Sequence, residues 1–183
     1  MHCTWLTEKA ETRPLPHGGF GAFALSTIAP GETIAVFGGT LSTGAEFSRL
    51  SADRRSRSIQ VEEDLYLVGG EVPEDGDMIN HSCEPTCGLR GSSILVAMQV
   101  IPLGAALTYE YATSDGGPYD EFVCQCEASS CRGVVTGSDW MRPDIQDRYR
   151  EWFSPYLARR ISRFASTTPD HHGDAMRVVS TSE

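Results

Sequence analysis

The chain has 183 residues, 40% of them hydrophobic and 22% charged, which is ordinary for a globular protein and enough to bury one core with a small appendage. Its formal net charge of −10 argues against a direct hold on a nucleic-acid backbone and suits a basic partner. No apolar run approaches the ~20 residues of a membrane span, so no membrane partner is expected.

Met1 to Lys9 lacks the basic and apolar regions of a signal peptide, and Ser180 to Glu183 is no prenylation box. A cytoplasmic protein is the expectation, or a nuclear one from a eukaryotic source. In those compartments six cysteines point to metal or chemistry rather than to disulfides. Lys9 is the only lysine among fifteen basic residues, so a lysine-modifying enzyme built this way has almost no lysine of its own to modify.

Residues 1–16 are polar and proline-containing and read as a loosely held lead-in. His17 to Leu25 begins with glycines and continues apolar. Gly19-Phe20-Gly21 could cradle a cofactor, because glycine lets a ligand approach the backbone; a plain strand-edge turn fits the same residues. Ile28 to Glu32 is a tight turn on Pro30 and Gly31, and Thr33 to Gly39 is a second strand. Thr43-Gly-Ala-Glu46 fits a capping box that opens a short helix. Ser51 to Ser58 is a polar, exposed run. Ser58 to Glu62 alternates at period two, Leu65 to Val68 is a further strand, and Gly69 to Asp77 is a loop.

Ile79 to Cys87 holds an amide, an imidazole, two thiols and a proline, a composition typical of a loop that carries a site. Ser93 to Val100 is a nearly continuous apolar run and reads as a buried strand. Ile101 to Gly104 is another proline–glycine turn, and Leu107 to Tyr111 returns as a strand. Tyr109 and Tyr111 are two apart, so on a strand both rings face one side. Residues 113–121 form an acidic loop.

Cys124-x-Cys126-x4-Cys131 is the strongest local signal. Three thiols at that spacing fit tetrahedral zinc, with a fourth ligand from Cys83 or, in reserve, Cys87. Pro143 starts a helix whose apolar stripe is Ile145, Tyr149, Trp152, Phe153, Tyr156, Leu157 and Ile161. Residues 165–183 are polar and read as a disordered tail. Many short strands and few helices make a β-rich α+β fold with a C-terminal helix.

In their order these motifs resemble the SET-domain lysine methyltransferases: Gly-x-Gly, a variable insert at about 44–70, Asn80-His81-Ser82-Cys83-x-Pro85, a strand–turn–strand, Leu107-Thr-Tyr109-x-Tyr111, then the C-x-C-x4-C-Arg-Gly of a post-SET segment. The resemblance covers roughly residues 17–137. It implies a SET domain at 17–112, a post-SET zinc segment at 113–137 and a helical extension at 138–164, as in small stand-alone members. It also implies several short curved sheets, with the chain at Asn80–His81 threaded through a preceding loop.

By the same resemblance, S-adenosyl-L-methionine would be held at Gly19, Phe20, Gly21, Asn80 and His81, and a substrate lysine would enter from the opposite face. Tyr111 takes the position of the catalytic tyrosine. Tyr109 takes the switch position that limits how many methyls fit, and a tyrosine there implies mono- or dimethylation. The zinc would be held by Cys83, Cys124, Cys126 and Cys131. The partner would be a protein or peptide presenting a lysine. Other readings are a catalytically silent SET-fold module that binds a peptide, and a methyltransferase for a small amine.

The chain departs from the family pattern in places. The usual Glu-Tyr-x-Gly-Glu strand reads Val36-Phe37-Gly38-Gly39-Thr40, so a channel tyrosine and two acids are missing. The arginine common three residues before Asn-His is Asp77, and Gly-Glu-Glu-Leu has become Gly104-Ala-Ala-Leu107. Methyl transfer to an amine is an in-line displacement, so alignment and exclusion of water are the main requirements on the site. The amine must also be neutral, against an ordinary lysine pKa of about 10.4.

Overall fold

Short strands make up most of the computed structural model, which describes residues 4–118 and 121–167. The expected tail therefore lies outside the described residues from position 168 onward, and so does Cys3. Residues 4–16 are not loose. They carry strands β1 (Trp5–Leu6) and β2 (Ala10–Pro14). β2 pairs antiparallel with β3 (Phe20–Ala24), Ala10 opposite Ala24 and Pro14 opposite Phe20. The polar composition that suggested a lead-in is that of a sheet edge, where proline is tolerated because its missing N–H faces no partner.

β4 (Thr33–Val36) and β5 (Thr40–Thr43) follow, and Thr43 caps helix α1 (Gly44–Phe47). The capping box closes in both directions: the Thr43 amide donates to Glu46 Oε2 at 2.8 Å, and the Glu46 amide donates to Thr43 Oγ1 at 3.4 Å. Helix α2 (Ala52–Ser56) leads into β6 (Ser58–Glu62) and β7 (Leu65–Val68), which form a three-stranded sheet ordered β5-β7-β6.

After a 3₁₀ turn at Asp75–Met78 come β8 (Asn80–His81), β9 (Cys87–Arg90), β10 (Ile94–Ala97) and β11 (Ala106–Tyr109). The main sheet is ordered β1-β4-β10-β9-β11-β3-β2, with β8 inserted parallel to β11. Gly31 and Gly104, each with φ near +81°, sit where a type II turn demands a left-handed residue. The two turns meet through an Ile28–Ile101 bridge. Ile34, Leu89, Leu95, Ile101 and Leu107 are fully buried and form the centre of the β core.

β12 (Phe122–Val123) and β13 (Val134–Val135) pair across the cysteine segment. The apolar stripe read as one helix is broken into α3 (Pro143–Arg148), a 3₁₀ turn at Arg150–Trp152 and α4 (Pro155–Thr167). Pro155 stops a continuous helix from passing Ser154: it brings no N–H and disfavours helical backbone at the residue before it. The Ser154 amide donates to the Thr113 carbonyl at 2.8 Å instead. The stripe still does the packing expected of it, because Tyr149, Phe153, Tyr156 and Leu157 are buried with Trp140 in a second core. Trp152 lies flat on β9, where a Cβ at Gly88 would stand 2.2 Å from the indole. No helix among the described residues is long and apolar enough to cross a membrane.

Candidate active site and metal centre

One cavity of about 1110 Å³ runs between the main sheet, the β5-β7-β6 sheet and the cysteine segment. Its two ends differ chemically. At the first, Gly18 and Gly19 take φ of +93° and +75° with open space where side chains would be. Asn80 Nδ2 donates to the Phe20 carbonyl at 2.8 Å. A Cβ at Gly21 would stand 3.3 Å from Asn80 Nδ2 and 3.1 Å from Leu15 Cδ2, so glycine leaves that approach clear. The register Asn80–Thr108 and His81–Tyr109 brings the predicted Asn-His pair onto the strand that carries Tyr109.

The second end is aromatic. The Tyr109 ring lies 4.8 Å from Tyr111 and 6.0 Å from Phe37. Tyr66 and Phe47 stack at 4.0 Å beside them. Tyr111 is not on the strand, contrary to the period-two reading. β11 ends at Tyr109, and Tyr111 opens a 3₁₀ turn capped by Glu110, whose Oε1 accepts from the Ala112 amide at 3.0 Å. The two rings still meet because the turn carries Tyr111 back towards the residue before β8, where its hydroxyl donates to the Ile79 carbonyl at 3.2 Å. Burial, reinforced by the nearby Asp115 charge, raises the Tyr111 phenol above its ordinary pKa. Phe122, from the cysteine segment, lines the same cavity and stands edge-on 6.1 Å from Tyr111 and 6.2 Å from His81.

His81 is buried, and desolvation together with the Arg132 charge lowers its pKa to about 3. Its Nδ1 lies 3.6 Å from Glu110 Oε1, but a neutral imidazole makes no ion pair there. Nδ1 instead accepts from the Tyr111 amide at 3.5 Å, and Nε2 faces Cys83 Sγ at 3.4 Å. The ring thus joins the aromatic turn to the cysteine cluster.

Cys83, Cys124, Cys126 and Cys131 bring their four sulfurs within 4.8 Å of one another. A tetrahedral zinc with Zn–S bonds near 2.3 Å would place sulfurs about 3.8 Å apart, and Cys83 and Cys124 already stand at 4.0 Å. The Cys83 amide points at Cys126 Sγ and the Arg132 amide at Cys83 Sγ, each at 3.5 Å, which is the donor pattern thiolates need. Against the upward pull of burial, backbone amides of Cys83 and Ala128 and the neighbouring thiols bring Cys126 down to about 7. The cluster fits zinc. Cys87, the reserve ligand, is elsewhere: it lies in β9 within the β core, its thiol pushed up to about 11 by burial.

Two further groups escaped sequence reasoning. Arg132, the arginine of Cys-Arg-Gly, makes a two-pronged pair with the Glu110 carboxylate at 2.7 Å for each prong, and its Nε donates to Asp139 at 2.6 Å. All three side chains are buried. Asp77, which replaces an expected arginine, faces Arg57 at 3.6 Å with both side chains buried. The guanidinium is therefore present but comes from the end of α2.

The SET-domain family profile matches residues 19–112. The histone-lysine N-methyltransferase ash1 of Drosophila melanogaster is 30% identical over 131 residues, 65% of this chain and 6% of ash1. The methyltransferase flvH of Aspergillus flavus is 26% identical over 125 residues, 64% of this chain and 67% of flvH. Among solved structures, Arabidopsis thaliana SUVH6 in complex with SAM aligns at a TM-score of 0.61 and 18% identity, covering 70% of this chain and 33% of that one. KRYPTONITE in complex with mCHH DNA, H3(1-15) peptide and SAH aligns at 0.57 and 20%, covering 70% and 30%. These structural likenesses bear on the fold.

Proposed function

The chain belongs to the SET-domain family, and from that premise we propose that it is an S-adenosylmethionine-dependent protein-lysine N-methyltransferase that stops at mono- or dimethyl-lysine. One observation carries the reading: a single cavity joins a glycine-and-asparagine end to an aromatic end. Gly19, Phe20, Gly21, Asn80 and His81 would hold S-adenosylmethionine, which supplies an electrophilic methyl on a sulfonium. Asn80 suits that duty because an amide offers both a donor and an acceptor. Tyr111 and Tyr109 would wall the lysine channel, exclude water and orient the amine, and their ring faces favour a cation on its way in. Removal from water lowers the amine's pKa towards the neutral form that can react. Phe37, in place of a family tyrosine, keeps the wall aromatic without the hydroxyl.

The cysteine cluster would hold zinc and lay the segment from Phe122 to Glu127 over the cavity. The acidic net charge suits a basic protein segment, and the histone-lysine activity named for ash1 makes histone tails the first substrates to try. A small amine is the second reading. It is favoured by flvH, which this chain covers over 67% of its length and whose name states a methyltransferase without a protein substrate.

The experiment is mass spectrometry of a panel of lysine peptides, histone tails included, and of free alkylamines after incubation with full-length protein and S-adenosylmethionine. Mono- and dimethyl-lysine that vanish with Tyr111→Phe are expected. Transfer to free amines alone would favour the second reading. No transfer to any acceptor, with S-adenosylmethionine still bound, would make the protein a silent module.

A further inference from the structure

The roles above leave Asp115 unused, although it lines the aromatic end of the cavity together with Tyr66 and Tyr111. Its backbone is fixed from several sides. The Asp115 amide donates to the Tyr111 carbonyl at 2.9 Å. On one flank Tyr156 Oη donates to the Ser114 carbonyl at 2.5 Å, and on the other the Gly116 amide donates to Gln60 Oε1 at 3.0 Å. Arg160 donates to the Gly116 carbonyl. β6, α4 and the Tyr111 turn therefore hold a carboxylate in place at the cavity wall. A loop free to choose would turn such a group into water.

The carboxylate has polar neighbours but no cation. The Ser114 hydroxyl and the Gln60 backbone lie near enough to favour its charged form, and no ion pair with it forms among the described residues. The groups facing it are the phenols of Tyr111, Tyr66 and Tyr156, each raised by burial and further by the Asp115 charge, and the carboxylate of Glu110. Arg160 of α4, which reaches the neighbouring Gly116 carbonyl, is also paired with Glu63. Burial, with a smaller push from Glu110, raises Asp115 to about 7. A cation arriving beside it would reverse that penalty and meet aromatic faces at the same time.

We propose that Asp115 receives the positive charge of the substrate amine as it enters, ahead of the proton loss that methyl transfer requires, and makes the aromatic end selective for a primary ammonium on an alkyl stem. This rests on the reading of the cavity as an amine methyltransferase site. Without the carboxylate, only the ring faces would favour an ammonium over a plain alkyl side chain, a modest discrimination. A site that pairs a specific polar group rejects the analogue lacking it.

The test uses the full-length protein loaded with S-adenosylhomocysteine, titrated with a short glycine–serine peptide carrying one lysine, the same peptide with norleucine, and pentylamine. Binding is followed by NMR chemical shifts. Wild-type protein is expected to prefer the lysine peptide over the norleucine peptide by roughly tenfold or more. Asp115→Asn should remove most of that preference, Asp115→Glu should keep most of it, and S-adenosylhomocysteine affinity should stay the same in all three. Comparable binding of pentylamine would assign the cation to a free amine and leave Asp115 in the same role. A preference that survives Asp115→Asn undiminished, or no preference in the wild type, would overturn the inference while cofactor binding still stood. Failure of the wild type to bind S-adenosylhomocysteine at all would instead sink the reading on which it rests.

Discussion

The β core and the cysteine cap are held together by different physics. In the core, Ile34, Leu89, Leu95, Ile101 and Leu107 have essentially no exposed surface. Each fully buried side chain of that kind contributes about 1.5–3 kcal/mol through removal from water, so stability is spread over many positions. The cap has little such area: Phe122, Val123 and Val134 are exposed, and β12 and β13 pair over two residues each. It is tied down by four thiols, by Arg132 on Glu110 and Asp139, and by the Tyr149 hydroxyl on the Cys83 carbonyl at 2.9 Å. A few strong links can be cut singly. The cap should therefore come away from the cavity while the sheets stay folded.

Removing the metal is the largest way to break that difference. Structural zinc is worth on the order of 10 kcal/mol to the segment it organises. Chelation, or Cys131→Ser, is expected to lower S-adenosylhomocysteine affinity by roughly a hundredfold or more, since about 2.8 kcal/mol of lost contact suffices. Far-UV circular dichroism should change little. Elemental analysis of purified protein is expected to find one zinc per chain. Zinc-free protein with full cofactor affinity would contradict the separation of cap from core.

Next in size is the buried ion pair. Glu110→Ala leaves the buried Arg132 guanidinium with Asp139 as its remaining carboxylate partner, at a cost somewhat below the roughly 3–5 kcal/mol of a fully unpaired buried charge. Hydrogen exchange should accelerate in residues 122–135 and hardly at all in β9 and β10. Uniform acceleration would mean that cap and core form one cooperative unit.

A smaller effect separates function from stability at Asp115. The folded state raises this acid from 3.8 to about 7, so the folded protein binds more protons than the unfolded chain across that interval. Stability must then fall as pH rises through it. Asp115→Asn is expected to melt above the wild type at pH values beyond 7, by on the order of 2 kcal/mol. The advantage should fade to nothing near about pH 4. A stability difference independent of pH would contradict the burial of this charge.

Smallest in energy is Tyr109→Phe. The Tyr109 hydroxyl lies 3.4 Å from Ser114 Oγ, buried at the aromatic end of the cavity. An ordered water held there costs at most about 2 kcal/mol to displace, enough to slow a further methylation more than tenfold. The substitution should leave melting nearly unchanged and move the product towards trimethyl-lysine in mass spectra. A wild-type enzyme that runs readily to trimethyl-lysine would show the switch assignment wrong.

Much of the β core was legible because its signals are local. Period-two alternation marked β6, proline and glycine marked the two type II turns, and Thr43 with Glu46 announced the cap of α1. The cysteine spacing was legible for the same reason, since three of its four ligands fall within eight residues. What escaped depends on partners distant in the chain. β2 reads as polar coil until β3 is beside it. Arg132 meets Glu110 across 22 positions, and Arg57 meets Asp77 across β6, β7 and the loop that follows them. Asp115 looked like part of an acidic loop because the bonds that turn it inward come from Gln60, Tyr156 and Arg160. The break at Pro155 was different: its cause stood in the sequence, but the apolar spacing of Tyr149 to Ile161 masked it.

The central claim is that the glycine end of the cavity is built for S-adenosylmethionine around Asn80. Calorimetric titration of S-adenosylmethionine into the zinc-replete full chain, beside Asn80→Ala, tests it most directly. The account predicts one site per chain in the wild type and loss of measurable binding in Asn80→Ala, with zinc content unchanged. A wild type that takes up no S-adenosylmethionine, or an Asn80→Ala protein that binds it as tightly, would contradict the claim.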